Sequence, residues 1–205
     1  MRFRRSAVLA LAGVAALAVS GCKLADNNPG AQDPEFAKID GEFLKTGGNG
    51  DDWAFPAQSY GEQRHSPLTQ ISDKNVSELG IAWFADMPDA RGHESTPDEV
   101  DGTLYVTGPW SQVFADEPDN GKPLWQFDPG VDKARGVKAC CDVVNRGVAF
   151  WKGKLFVGTI DGRLIALDAK TGGEIWSVQT LDPKSNGTIT GFPRVVKNLV
   201  IIGNG

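Results

Sequence analysis

The sequence predicts an all-β fold in which short strands form the repeated blades of a β-propeller. Glycine occurs 25 times and tryptophan six times in 205 residues, and this composition suits many short strands joined by tight turns. A second observation is an internal repeat, in which Ala115, Gly121 and Trp125 recur 51 positions later as Ala166, Gly172 and Trp176. A repeat of this kind that contains short strands is typical of propeller blades.

The first 21 residues have the plan of an export signal. Three arginines within residues 1–6 precede an uncharged apolar run at residues 7–19, which is too short to span a bilayer comfortably. The run ends in Val19-Ser20-Gly21-Cys22, which resembles the lipobox of bacterial lipoproteins. We therefore predict a lipoprotein signal peptide at residues 1–21, lipidation of Cys22, and a periplasmic protein anchored to the outer membrane. The alternative is a plain signal peptide that leaves Cys22 as an unpaired thiol.

Residues 22–50 are predicted to form a flexible tether between this anchor and the folded region. The segment contains Asn27-Asn28-Pro29-Gly30 and Gly47-Gly48-Asn49-Gly50 and shows little apolar periodicity. Residues 35–45 are compatible with one short helix. From residue 51 onward the sequence becomes strand-like, so we assign residues 51–205 to the propeller blades.

Short apolar or alternating runs in this region are the predicted strands, and glycine, asparagine or aspartate separates them. They lie at residues 104–107, 147–151, 154–159, 163–167 and 199–202. The repeat adds a turn of the form Asp-x-x-Thr-Gly followed by a strand that ends in tryptophan, and Trp83 supplies a third strand-ending tryptophan. We expect these tryptophans to dock between adjacent blades, where they bury a large apolar area, and to play no part in catalysis.

The charge distribution argues against a nucleic-acid partner. The net charge is −5, and no basic cluster follows Arg5, whereas nucleic-acid-binding domains carry clustered lysine and arginine.

The adjacent cysteines Cys140 and Cys141 are the most informative local feature. Neighbouring residues cannot form an ordinary disulfide, which needs well-separated Cα atoms, but oxidation of such a pair closes a small strained ring. A ring of this kind presents a flat sulfur face that suits stacking on a planar cofactor, and an exported chain is where it would persist. The alternative is two small buried apolar residues that are adjacent by chance.

Several motifs together resemble one family. The Ala-x-Asp-x-x-Thr-Gly-x-x-x-Trp repeat is similar to that of pyrroloquinoline quinone (PQQ) propellers. Four further strings are similar to those of the quinoprotein alcohol dehydrogenases, in the same order along the chain, at residues 52–79, 93–97, 140–147 and 189–194. The resemblance covers residues 51–205 and implies the first blades of an eight-bladed PQQ-type propeller.

The resemblance also implies roles for individual residues. Cys140 and Cys141 match a vicinal disulfide that stacks on one face of the quinone. The other matching positions are Glu94 near the PQQ carboxylates, Arg146 near the anionic oxygens of PQQ, Thr190 as a hydroxyl donor, and Gly205 at the start of a loop whose backbone approaches the cofactor.

The implied activity is oxidation of a small alcohol to an aldehyde, with electrons passed to a cytochrome c or a quinone. In the family, the catalytic aspartate and the ligands of calcium or a lanthanide lie beyond the position of Gly205. We therefore expect no catalytic or metal-binding residue in this chain, read it as the N-terminal portion of a longer enzyme, and predict that it is inactive alone. The alternative is an outer-membrane assembly scaffold, a lipoprotein with a similar propeller that binds no quinone.

Overall fold

The computed structural model describes residues 36 and 38–205, so the predicted signal peptide and Cys22 lie outside the described residues. Ten strands dominate this region, together with one short α-helix, α1 (Gly41–Thr46), and 3₁₀ segments at Val76–Glu78, Pro109–Ser111 and Lys133–Lys138. Among the described residues, no helix combines the length and the hydropathy needed to cross a membrane.

Helix α1 shows that part of the segment predicted as a flexible tether is packed against the fold. The Asp40 side chain caps its N-terminus by accepting two backbone hydrogen bonds, and Gly47 ends it in the left-handed conformation with φ 80°. Ile39 and Leu44 are almost fully buried. Burial of these two apolar side chains holds the segment against the fold, although its glycine-rich composition suggested a tether. The packed region therefore begins before residue 51.

Two four-stranded antiparallel sheets follow one another along the chain, each in simple sequential order. The first consists of β1 (Asp98–Val100), β2 (Thr103–Thr107), β3 (Val113–Asp116) and β4 (Pro123–Phe127). The second consists of β5 (Ala149–Trp151), β6 (Lys154–Gly158), β7 (Arg163–Asp168) and β8 (Glu174–Gln179). A hairpin of β9 (Arg194–Val196) and β10 (Leu199–Ile201) comes last. This succession of meander sheets is the blade arrangement that the repeat predicted.

The internal repeat is visible in the backbone. A register shift occurs between Ala115 and Asp116 in the first sheet and between Ala166 and Leu167 in the second, at positions related by the same offset as the sequence repeat. In both turns a glycine has positive φ, 69° at Gly121 and 71° at Gly172. The two copies thus share their turn as well as their strands.

Tryptophans join consecutive repeats by a common contact, as the sequence predicted. The Trp83 Nε1–H donates to the Pro118 carbonyl at 2.8 Å, and the Trp125 Nε1–H donates to the Ala169 carbonyl at 3.1 Å. Each indole covers the turn glycine of the next repeat so closely that an added Cβ would lie 2.5 Å from the ring. We call this contact the Trp–Gly joint.

The predicted position of these tryptophans within strands was wrong in detail. Trp125 and Trp176 are each the third residue of their strand, β4 and β8, and Trp83 lies outside any strand. The strands continue past the indole, since two residues after Trp125 still pair with β3 and three residues after Trp176 still pair with β7.

One apolar core fills the space between the two sheets. It combines residues of the first sheet, such as Val100 and Val113, with residues of the second, such as Leu155 and Ile165, and all four are fully buried. Phe36 from the N-terminal segment packs edge-on against Phe150, with ring centroids 5.2 Å apart. The sheets therefore form one unit, and the loops between them are held on a rigid frame.

Candidate cofactor-binding site

Three chain segments meet beside the two sheets and bring the predicted site residues together. One segment leads into β1, the second joins β4 to β5, and the third precedes β9. The Thr96 N–H donates to the Arg146 carbonyl at 3.1 Å, and the Arg146 N–H donates to the Thr190 carbonyl at 3.0 Å. The middle segment is therefore bonded through its backbone to both of the others.

The Arg146 guanidinium is the centre of this arrangement. Its Nη2 lies 2.7 Å from Oε2 of Glu94, and its Nη1 donates to Oγ1 of Thr190 at 2.7 Å. Both charged side chains are about two-fifths exposed, so the ion pair adds little to stability by itself. Its consequence is geometric, because the planar guanidinium is fixed at two edges and its orientation is set.

A network of buried hydrogen bonds connects two of these segments to strands β2 and β6. The Asn145 side chain donates to the Gly158 carbonyl at 2.9 Å and accepts from the Gly147 N–H at 3.0 Å. Thr107 in β2 donates its hydroxyl to the Asn145 carbonyl at 3.1 Å, and its backbone N–H donates to Oγ of Ser95 at 2.8 Å. Residues adjacent to Glu94 and Arg146 are thus anchored to the sheet, where satisfied buried hydrogen bonds make the local structure unique.

Gly205 reaches the same region through its backbone. Its N–H and carbonyl exchange hydrogen bonds with Thr188, at 3.1 and 2.8 Å. A cleft of about 420 Å³ lies here, lined among others by Arg146, Thr190, Arg194 and Gly205. Two arginines, Arg146 and Arg194, and two threonines, Thr188 and Thr190, therefore line one cleft. Donors of this kind suit an anionic ligand.

Cys140 and Cys141 lie at the edge of this group. Both are exposed free cysteines, with Sγ atoms 2.8 Å apart, so the alternative of two buried apolar residues was wrong. The contact with Cys140 raises the pKa of the Cys141 thiol, and Arg146 opposes this rise by favouring the thiolate. The structure therefore brings the cysteines within electrostatic reach of Arg146, while their oxidation to a ring stays a prediction.

The structure also reveals a neighbouring pair that sequence reasoning missed, Arg91 and Asp142. Asp142 directly follows Cys141, and its carboxylate accepts hydrogen bonds from the Arg91 side chain and from the Gly92 N–H. These bonds lower the pKa of Asp142 to about 2. The sequence offered one signal for this pair, namely position: an acidic residue directly follows the cysteine pair, and a basic residue lies three positions before Glu94.

Residues 53–203 match the family model of the PQQ-type glucose, ethanol and alcohol dehydrogenase β-propeller domain. The chain belongs to this PQQ dehydrogenase propeller family. The predicted fold class and family are therefore confirmed.

Named relatives of this PQQ propeller chain are quinohemoprotein alcohol dehydrogenases. It is 49% identical to the enzyme ADH-IIG of Pseudomonas putida over 199 residues, which are 97% of this chain and 26% of the relative. It is 46% identical to the enzyme of Comamonas testosteroni over 193 residues, 93% of this chain and 27% of the relative. The chain thus spans about a quarter of the length of the relatives that it matches.

Solved structures agree with the propeller assignment. The crystal structure of the Comamonas testosteroni enzyme superposes with a TM-score of 0.79 at 48% identity, over 83% of this chain and 26% of that one. A europium-containing methanol dehydrogenase superposes with a TM-score of 0.76 at 39% identity, over 81% of this chain and 29% of that one.

The donor set of the PQQ propeller chain fits one side of a planar, anionic quinone. Arg146 and Thr190 offer charged and neutral donors on the cleft, and the exposed sulfurs of Cys140 and Cys141 lie near them. The Glu94 carboxylate pairs with Arg146 in this structure and so orients a donor, while its predicted place near the PQQ carboxylates stays a prediction. Within residues 36 and 38–205, no group of three or more His, Cys, Asp or Glu side chains is arranged to hold a metal ion.

Proposed function

We propose that the full-length protein is a PQQ-dependent alcohol dehydrogenase and that this chain supplies one wall of its cofactor site. The observation that carries the proposal is the convergence of Glu94, Arg146 and Thr190 beside the adjacent cysteines, in a chain whose family members are such enzymes. These residues come from three separate segments, and only the fold brings them to one place.

Each residue has a distinct task in this proposal. Arg146 and Thr190 donate hydrogen bonds to the carboxylate and quinone oxygens of PQQ, and the Gly205 backbone closes the same side. Glu94 holds the guanidinium in position and balances part of its charge. Bound PQQ would supply the chemistry, since it accepts the two electrons of the alcohol as a hydride.

Cys140 and Cys141 form, in this proposal, a vicinal disulfide that stacks on the quinone face. Two observations support it: both sulfurs are exposed, and their separation of 2.8 Å leaves only a short movement to a bond of about 2.05 Å. The oxidation removes two hydrogens, and the oxidising partner is the disulfide-forming machinery of an export compartment.

We further propose a small alcohol as substrate and a cytochrome c or a quinone as electron acceptor. The names of similar proteins support this range, because one is a 1-butanol dehydrogenase (cytochrome c) of Thauera butanivorans and another an alcohol dehydrogenase (quinone) subunit of Komagataeibacter europaeus. A calcium or lanthanide ion would be held by residues that the family places beyond the position of Gly205.

The cellular location is a separate proposal. The sequence Val19-Ser20-Gly21-Cys22 supports export to the periplasm and a lipid on Cys22, with anchoring in the outer membrane. The wild-type protein should then partition with membranes, and Cys22→Ala should release it. Recovery of the wild-type protein in the soluble periplasmic fraction, cleaved at another residue, would contradict the anchor.

The catalytic proposal is tested on the full-length protein loaded with PQQ and calcium, with reduction of an artificial acceptor by 1-butanol as the assay. Replacing Arg146 with glutamine removes two charge-assisted hydrogen bonds, so we expect PQQ binding to weaken at least about tenfold. Lys122→Gln, which breaks an exposed ion pair with Glu117, is the matched control and should change nothing.

Two results would overturn the proposal. One is full-length wild-type protein that neither retains PQQ nor oxidises alcohols, which would favour the scaffold alternative. The other is alcohol oxidation by residues 1–205 alone with added PQQ and calcium, which would place the active site elsewhere than we infer.

A further inference from the structure

The carboxylate of Asp142 connects two segments to which the proposed function gives different tasks in the cofactor site. Asp142 comes directly after Cys141 in the chain. Its partners, Arg91 and Gly92, come directly before His93 and Glu94. A rigid connection here fixes where the sulfur pair lies relative to the pair formed by Glu94 and Arg146.

All acceptor positions of the Asp142 carboxylate are used. Oδ2 accepts from the Gly92 N–H at 3.1 Å and from Nε of Arg91 at 3.2 Å. Oδ1 accepts from the Val143 N–H at 2.8 Å and forms an ion pair with Nη2 of Arg91. A carboxylate has about four lone-pair sites, so this group has none left for a ligand. Its role is to hold other groups in place.

The backbone around Asp142 is fitted closely to this contact. Asp142 itself has φ 70°, a left-handed conformation that few residues other than glycine adopt and that aspartate tolerates better than most. Opposite it, a Cβ added to Gly92 would lie 2.9 Å from Cγ1 of Val144. The two segments therefore approach at a distance that only glycine allows at position 92.

The other end of the connection is tied to the core through Trp110. The Arg91 guanidinium lies over the Trp110 ring at 5.7 Å from its centroid. Trp110 is buried, its Nε1–H donates to Asp89 at 3.0 Å, and its backbone N–H donates to the Val143 carbonyl at 2.9 Å. Arg91 thus lies over the side chain of Trp110, and the backbone of Trp110 bonds to Val143, the residue after Asp142.

We propose that Arg91 and Asp142 form a positioning clamp that sets the cysteine pair at the correct distance from Glu94 and Arg146 for PQQ to contact both. The inference rests on the proposed function, because it assigns the clamp to a PQQ site. Neither residue touches the cofactor. Both act through the segments that they join, and loss of either allows the cysteine segment to move away from Glu94.

A double-mutant cycle on the full-length apoprotein tests the clamp. PQQ binding is titrated for the wild type, Asp142→Asn, Arg91→Gln and the double variant, with Lys122→Gln as control. We expect each single variant to bind PQQ about tenfold more weakly, and the double variant to bind no more weakly than the worse single variant, since both changes break one contact. Unchanged binding in Asp142→Asn, or fully additive losses, would refute the clamp.

Amide hydrogen exchange separates failure of the clamp from failure of the proposed function. In the wild-type apoprotein, the Gly92 and Val143 amides should be protected, and Asp142→Ala should expose both while exchange in β6 and β7 stays unchanged. Rapid exchange of both amides in the wild type would refute the clamp without any cofactor. If the amides are protected but the wild type fails to bind PQQ, the proposed function fails instead, and with it the assignment of the clamp to PQQ.

Discussion

Replacing Asp98 with valine should stabilise the protein at neutral pH. Asp98 begins β1 and is completely buried, and neither carboxylate oxygen has a hydrogen-bond partner among residues 36 and 38–205. Burial raises the pKa of Asp98 well above its ordinary value. Valine is close to aspartate in size, prefers strands, and removes the unpaired polar atoms.

The magnitude follows from two effects. Removing an unsatisfied buried polar group recovers about 1–3 kcal/mol. In addition, the unfolded chain loses its Asp98 proton above about pH 4 while the folded protein keeps it, so the wild type loses about 1.4 kcal/mol of stability per pH unit until the folded-state pKa is reached. The stability difference between Asp98→Val and the wild type should therefore grow as the pH rises from 4.

Urea unfolding followed by tryptophan fluorescence, at several pH values from 4 to 8, measures this difference. Asp98→Asn is the matched control, because it keeps a buried polar group of the same shape but does not titrate. It should remove the pH dependence that is due to Asp98. A stability difference between Asp98→Asn and wild type that is constant over this range, or a clear loss of stability in Asp98→Val, would show that Asp98 is charged and paired.

Three further predictions concern packing, loop attachment and acid stability. Gly158→Ala should destabilise the protein by about 1–3 kcal/mol in urea unfolding, because the new Cβ would lie 2.4 Å from Cγ2 of Ile189; Gly80→Ala, which meets nothing within 4 Å, should have little effect. Arg135→Gln should speed proteolysis of the loop that Arg135 holds through the carbonyls of Pro183, Ser185 and Gly187, whereas equal cleavage rates would contradict this attachment. The lowered pKa of Asp142, about 2 against an ordinary 3.8, adds stability above pH 4 that is lost as the pH falls toward 2. Asp142→Asn should therefore flatten that part of the melting-temperature profile, and an unchanged profile would contradict the ion pair.

Local pattern predicted much of the fold. The runs at residues 154–159 and 163–167 correspond to β6 and β7, because a continuous apolar run and an Asp-Gly turn are signals that depend only on neighbouring residues. Strand β1 could not be predicted in this way, since its Asp98 and Glu99 are polar and only the tertiary structure buries Asp98. Trp83 failed as a strand marker for a related reason: its docking depends on the turn at Gly121 and needs no strand.

The site was predicted unevenly. Family motifs identified Glu94, Arg146 and Thr190, and the fold brings them into contact. The same motifs gave no indication of the partnership between Arg91 and Asp142, because those residues are 51 positions apart and are joined only when the two segments fold side by side. The structure also assigned Glu94 a contact, with Arg146, that motif matching alone could not specify.

The Trp–Gly joint has a consequence for how such a chain can grow. The indole of each repeat covers the glycine turn of the next repeat, so the joint has a direction along the chain. Each repeat therefore encodes both partners of the joint, one indole and one glycine turn. Copying that unit in tandem creates a new junction whose parts already match. Blade number can therefore change by duplication or deletion of whole units, whereas an insertion between the turn glycine and the tryptophan of one unit would separate the two halves that its neighbours require.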